Sequence, residues 1–320
     1  MLEPEIAAFI EQVNRINPRD KPPRNVTEQR AFYERMAAAL TPPLPEGVIA
    51  EDAALSAPAG HRIGLRLFRR RDVSAPRATL LFFHGGGFVV GSLDSHQVIT
   101  AQLAADTGLC VVAVDYRLAP EAPAPAAHDD CLGVTLAALD GRLPFSAAQT
   151  GGAPLPTTLL LAGDSAGGNL SVSIAAWLRD HGHADRLSQI KGIALAYPMA
   201  AWDPELPASE TEAQAPMLTL PGLLVYRQRY WNDVREPAWT IPLDARRYDG
   251  LPPVLAIGAE HDPLRDDARV LAERIRAAGG NARFWLGEGL AHGVWRAVHQ
   301  SPGVRRMHDE VCRFLLDAAG

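Results

Sequence analysis

The sequence predicts an α/β architecture, a mostly parallel central sheet flanked by helices on both faces with a helical cap above it, and three observations carry that reading. Short, nearly unbroken aliphatic runs at Thr79–Phe83, Leu109–Val114, Thr158–Leu161, Ile193–Leu195 and Val254–Ile257 have strand length without alternation, as strands covered on both faces of a parallel sheet do. Stretches of helical character lie between them, at about 95–107, 126–139, 166–180 and 264–278. Regular alternation of the two marks a doubly wound sheet with right-handed crossovers. Finally, residues 1–47 and 199–240 break the alternation, which separates a core (48–198 and 241–320) from amino-terminal cap helices and a cap insertion.

In chain order, Ile6, Phe9, Ile10 and Val13 recur at helical spacing, and Phe32, Met36 and Leu40 do so again between proline clusters. Two amphipathic helices outside the sheet follow from this. From Arg62 to Arg70 the pattern alternates, with Ile63, Leu65 and Leu67 on one face, which suits a half-exposed strand near a sheet edge. The 199–240 segment is rich in Pro and acids and then in apolar and aromatic residues through Leu218, Leu223, Leu224, Tyr226, Tyr230 and Trp231. A last strand candidate runs from Ala282 to Leu286.

Composition narrows the functional classes. The 320 residues are 47% hydrophobic and 21% charged, a balance that can bury a sizeable core and excludes disorder. A formal charge of -6 without any long run of one sign leaves neither a nucleic-acid footprint nor a polybasic membrane patch. A small neutral or apolar molecule is the expected partner. Acids at Glu3, Glu5 and Glu11 do not fit a secretory leader, and no apolar run has bilayer length. Cys110, Cys131 and Cys312 lack metal-ligand and CxxC spacing, so buried free thiols in a reducing cytoplasm are expected. HExxH is absent and His181 with His183 makes a weak pair on a helix end, so neither metal nor cofactor is expected. A homodimer stays open, since one sequence does not fix oligomeric state.

The chemistry concentrates in a few short segments. Gly163-Asp164-Ser165-Ala166-Gly167 joins an aliphatic strand to a helix without an intervening loop. That is the context in which GxSxG forms a sharp bend lifting the serine hydroxyl above the sheet, whereas the bare pentapeptide is more often a glycine-rich turn. His84-Gly85-Gly86-Gly87 ends a neighbouring strand on the same rim. Its unobstructed amides, Gly86 and Gly87 with that of Ala166, are candidate donors to a developing oxyanion, while His84 is expected to hold the loop. A serine hydroxyl needs a base oriented by a carboxylate. In the chain order serine, acid, histidine, Asp262 is the favoured acid, with Glu260 two residues away as its rival; Asp266 and Asp267 are expected to cap the following helix. His292, in the glycine-flanked segment after the last strand candidate, alone meets the order and loop requirements for the base. The acyl pocket falls to cap side chains, with Trp202, Met217, Leu218, Leu223 and Tyr226 as candidates.

Together these segments, with Asp115-Tyr116-Arg117-Leu118-Ala119-Pro120-Glu121, Gly167-Gly168-Asn169 and Asp262-Pro263-Leu264-Arg265-Asp266, resemble the hormone-sensitive-lipase family of α/β-hydrolases, the bacterial carboxylesterases of family IV, over nearly the whole chain. The resemblance implies the α/β-hydrolase fold, a cap built from the amino-terminal helices and the insertion after the sixth strand, and the acid at Asp262 rather than Glu260. Ala122 and Ala124 depart from the His and Phe common in that family, with packing rather than catalysis at stake. Asp115, Arg117 and Glu121 are expected to form a structural ion-pair network. On this reading the chain hydrolyses esters of short to medium acyl chains through a covalent acyl-enzyme. Amide, thioester or acyl-transfer chemistry would use the same residues, and a silent receptor on this fold would lack the histidine.

Overall fold

The structure, a computed structural model, describes residues 1–18, 20–235 and 237–320. Eight strands form one sheet: β1 (Val48–Ser56), β2 (Arg62–Arg70), β3 (Thr79–Phe83), β4 (Cys110–Asp115), β5 (Leu159–Asp164), β6 (Ile190–Ala196), β7 (Val254–His261) and β8 (Ala282–Ala291). Their spatial order is β1-β2-β4-β3-β5-β6-β7-β8. The first two strands run antiparallel and the remainder pair in parallel. The helices are α1 (Pro4–Ile16), α2 (Val26–Leu40), α3 (Gln97–Thr107), α4 (Ala126–Leu139), α5 (Ala147–Thr150), α6 (Ala166–Asp180), α7 (Ala184–Leu187), α8 (Ala208–Thr211), α9 (Leu220–Trp231), α10 (Arg265–Ala277) and α11 (Pro302–Ala319).

The aliphatic strands are buried on both faces because alternate side chains feed two separate cores. Leu81, Phe83, Leu159 and Leu161 enter one core with Val134 of α4, Leu170 of α6 and Leu271 of α10. Leu80, Phe82, Leu160 and Ala162 enter the other with Leu103 of α3 and Met307 of α11. Amphipathic α1 buries Ile6, Phe9 and Ile10, and α2 buries Met36, Ala37 and Leu40. All three cysteines are buried and free. Among the described residues no helix is long and apolar enough to cross a membrane.

One strand was not foreseen and three expectations need correction. Strand β1 takes the edge, next to β2: its nine residues pair with all nine of β2, and the Glu51-Asp52 pair in its sequence hid it. The segment after Leu286 is strand rather than loop, since β8 continues to Ala291 beside β7. Asp115, Arg117 and Glu121 do not pair with one another. Arg117 pairs with Asp130 at 2.8 Å and Glu121 with Arg30 of α2 at 2.7 Å, because successive side chains leaving a strand diverge and the intervening Tyr116 turns inward onto the His84 carbonyl at 2.6 Å. Lastly, Asp266 and Asp267 do not cap α10. The Asp267 carboxylate accepts the N–H groups of Ala200, Ala201 and Glu205, each at 2.9 Å, and Asp266 accepts that of Ala208 at 2.8 Å. Both acids therefore hold the start of the insertion.

Candidate active site

The carboxyl ends of β3, β5, β7 and β8 meet on one rim of the sheet, where ligands of open α/β sheets bind. Ser165 follows β5 directly and sits at φ 54°, ψ -118°, a sparsely populated conformation for a residue with a Cβ. Two close approaches force it. A Cβ on Gly167 would lie 1.8 Å from the Phe83 carbonyl oxygen, and one on Gly163 would lie 2.4 Å from Gly167, so only glycines let the chain bend here. Bonds from Ser165 N–H to the Ala196 carbonyl (2.8 Å) and from Met199 N–H to the Ser165 carbonyl (3.2 Å) lock the bend.

Asp262 and His292 come together because their strands are neighbours: His261 of β7 pairs with Ala291 of β8, and each candidate residue is the next along. His292 Nδ1 lies 2.8 Å from Asp262 Oδ2, and His292 Nε2 lies 2.9 Å from Ser165 Oγ. Asp262 is wholly buried, and its other oxygen accepts the Leu264 N–H at 2.9 Å. The rival, Glu260, turns away and accepts the Gly289 N–H at 2.7 Å, a bond that holds its carboxyl below the usual range. Tyr197 packs its ring against His292, 4.8 Å between centroids.

The glycine loop reaches over Ser165 from β3. Its Gly85 N–H donates to Asp164 Oδ1 at 2.9 Å. The N–H groups of Gly86, Gly87 and Ala166 donate to no protein acceptor among the described residues. Gly87 is at φ 60°, and a Cβ there would come 2.3 Å from the Tyr226 ring. His84 anchors the loop through Nδ1 and the Gly85 carbonyl at 2.8 Å and stacks on Tyr116. Burial, reinforced by His96, pushes its imidazole down to about 3, so the ring is neutral. Burial also pushes the Asp164 carboxyl up, but His96 at 3.4 Å, Arg296 and the Gly85 N–H outweigh it and leave it below the ordinary range.

Ser165, His292, Gly86 and Gly87 border a cavity of about 100 Å³. Of the five expected pocket residues, Met217, Leu218, Leu223 and Tyr226 line it and Trp202 does not. Trp202 lies under Arg227, 4.7 Å from ring centroid to guanidinium, and edge-on to Trp231. Sequence reasoning missed Tyr33, Met36, Met199 and Arg296 in the cavity wall. Tyr33 adjoins the apolar stripe of α2 and could have been found as the flank of that stripe; Arg296 gave no sequence signal. An outer cavity of about 680 Å³ shares Tyr33, Met36, Met217, Leu218 and Tyr226 with the inner one, so these five form a neck between them. A separate hollow of about 310 Å³ beside α4 and α5 has no ionisable residue in its wall among the described residues.

Comparison with known proteins bears on the fold and the family. A family profile described as alpha/beta hydrolase fold matches residues 80–296. Esterase LipI of Mycobacterium tuberculosis is 36% identical over 76% of this chain and 73% of its own length. Ethyl acetate hydrolase of Pseudomonas putida is 30% identical over 92% of both chains. Among solved structures, the hyperthermophilic esterase of Pyrobaculum calidifontis superposes with a TM-score of 0.86 at 27% identity, covering 100% of this chain and 99% of that one. The chain therefore belongs to the α/β-hydrolase family, among the bacterial carboxylesterases that resemble hormone-sensitive lipase.

Proposed function

We propose that this carboxylesterase works through a Ser165-His292-Asp262 triad and a covalent acyl-enzyme, on esters with short to medium acyl chains. One observation carries the reading: hydrogen bonds of 2.9 and 2.8 Å run without a break from Ser165 through His292 to Asp262, beside a small cavity bordered by Gly86 and Gly87, whose backbone N–H groups, like that of Ala166, are uncommitted among the described residues. Ser165 Oγ attacks the ester carbonyl carbon as its proton passes to His292 Nε2. The carbonyl oxygen becomes an anion and takes hydrogen bonds from Gly86, Gly87 and Ala166, each donor worth about 3 kcal/mol of barrier. Collapse expels the alcohol, protonated by His292. Water, deprotonated by the same ring, then cleaves the acyl-enzyme to the carboxylic acid. Asp262 keeps Nδ1 protonated throughout and stabilises the imidazolium.

The tight inner cavity supports a short acyl group, and the name of the ethyl acetate hydrolase points the same way. Residues 1–47 and 199–240 act as the cap, with 48–198 and 241–320 as the core. That division is supported by the neck, built from α2 and α9 with the segment before α9. Replacing Ser165 by Ala abolishes turnover while leaving the melting temperature near that of the parent, and a phosphonate ester labels Ser165 alone. Turnover in that variant, or label on another residue, overturns the proposal.

A further inference from the structure

Outside the cavity, Asp106 of α3 and His308 and Cys312 of α11 place their ligand-type atoms within 4.8 Å of one another. Such a cluster could hold a metal ion, but the hydrogen bonds at its centre give it another meaning. Trp295 Nε1 lies 3.1 Å from His308 Nδ1, and His308 Nε2 lies 3.1 Å from Asp106 Oδ2. An indole nitrogen only donates, so Nδ1 carries the lone pair and Nε2 the hydrogen. This leaves His308 no free lone pair for a cation. Asp106 is further held by Gln102 at 2.9 Å and Arg305 at 3.0 Å. Burial pushes its carboxyl up, but the bonds from His308 and Gln102 dominate and bring it down to about 2, so it stays an anion.

Trp295 stands three residues after His292, in a single 3-10 turn (Val294–Ala297) that follows Gly293 at φ 71°. So short a turn has little internal bonding to fix it, and its orientation rests on side-chain anchors. Trp295 is fully buried. Its backbone N–H donates to Tyr197 Oη at 3.2 Å, and the Tyr197 ring packs on His292.

We propose that Asp106, His308 and Trp295 form a positioning relay that sets the height and tilt of His292 over Ser165 from the far side of the helix layer. The relay rests on His292 being the base. Asp106 fixes the His308 tautomer, the tautomer offers one directional acceptor, and that acceptor seats the indole beside the base. Displacing a reacting group by about 1 Å costs on the order of 100-fold in rate, so a loosened indole is felt in turnover rather than in substrate binding.

The test uses full-length protein and a chromogenic acetyl ester. Trp295→Phe removes the N–H and keeps an aromatic ring; His308→Phe removes acceptor and donor; His308→Gln keeps one of each. We expect kcat to fall about tenfold or more in both Phe variants with KM within about twofold, and His308→Gln to recover most of it. The double Phe variant should be no slower than the slower single, and labelling of Ser165 by a phosphonate should slow in parallel. Folded Trp295→Phe and His308→Gln with full and reduced kcat respectively, losses confined to KM, or losses that multiply in the double variant overturn the relay. Turnover in Ser165→Ala is a distinct outcome that overturns the triad itself, and the relay with it.

Discussion

The orienting acid is the sharpest point of the site to test, because two acids two residues apart compete for the role in sequence and only one reaches the histidine. Asp262→Asn keeps the shape of the side chain. Its amide oxygen still accepts the Leu264 N–H, held at 2.9 Å in the parent, while its NH₂ faces His292 Nδ1 across 2.8 Å. An amide donor there forces Nδ1 to accept, which puts the ring hydrogen on Nε2, 2.9 Å from Ser165 Oγ. The base then has no lone pair for the serine proton. Inverting the tautomer and removing the carboxylate together cost about 10⁴ in kcat, or about 5.5 kcal/mol. Glu260→Gln still accepts from Gly289 and makes no bond to His292 among the described residues, so its kcat should stay within about threefold. Steady-state kinetics on a chromogenic acetyl ester, with melting curves to exclude misfolding, decides the matter. A rate for Asp262→Asn within tenfold of the parent, or the large loss appearing in Glu260→Gln, refutes the assignment.

Two further outcomes follow from packing. Tyr226 is pinned by Gln29 at 2.8 Å and abuts Gly87 in the neck between the two cavities, so Tyr226→Ala joins them and moves the optimum of an acyl-length series toward longer chains; an unchanged optimum removes Tyr226 from that role. Asp267→Ala strands the Ala200, Ala201 and Glu205 N–H groups, which should cost about 3 kcal/mol or more in chemical denaturation at about 1 kcal/mol or more for each; a loss under about 1 kcal/mol would show that water replaces the carboxylate. Burial pushes the Asp267 carboxyl up to about 7 in spite of its backbone bonds, so between about pH 4 and that value the folded chain holds the proton that the unfolded chain has released. The parent should therefore lose stability as pH rises through this window, and the difference from Asp267→Ala should shrink; a difference that does not vary with pH refutes the shift.

Local chemistry made the scaffold legible. Thr79–Phe83 and the other aliphatic runs have no polar face to expose, so they read as covered strands, and the glycines around Ser165 read as a bend because only glycine tolerates carbonyl oxygens within about 2 Å of where a Cβ would be. Asp262 and His292 were legible through order and family pattern. Strand β1 was not, since Glu51 and Asp52 break its apolar run and pairing with β2, rather than its own sequence, makes it a strand. The pocket wall was half legible: Met217, Leu218, Leu223 and Tyr226 reach it, while Trp202 is held away by Arg227 and Trp231, and Arg296 arrives from beyond β8. Asp267 looked like a helix cap and instead holds a segment more than 60 residues away. Periodicity and turn chemistry act over a few residues, so the sequence determined the aliphatic strands, the bend and the candidates for the reacting groups. Which distant side chain faces which depends on how loops and helices settle on the sheet, and that was decided only when the tertiary structure packed them together.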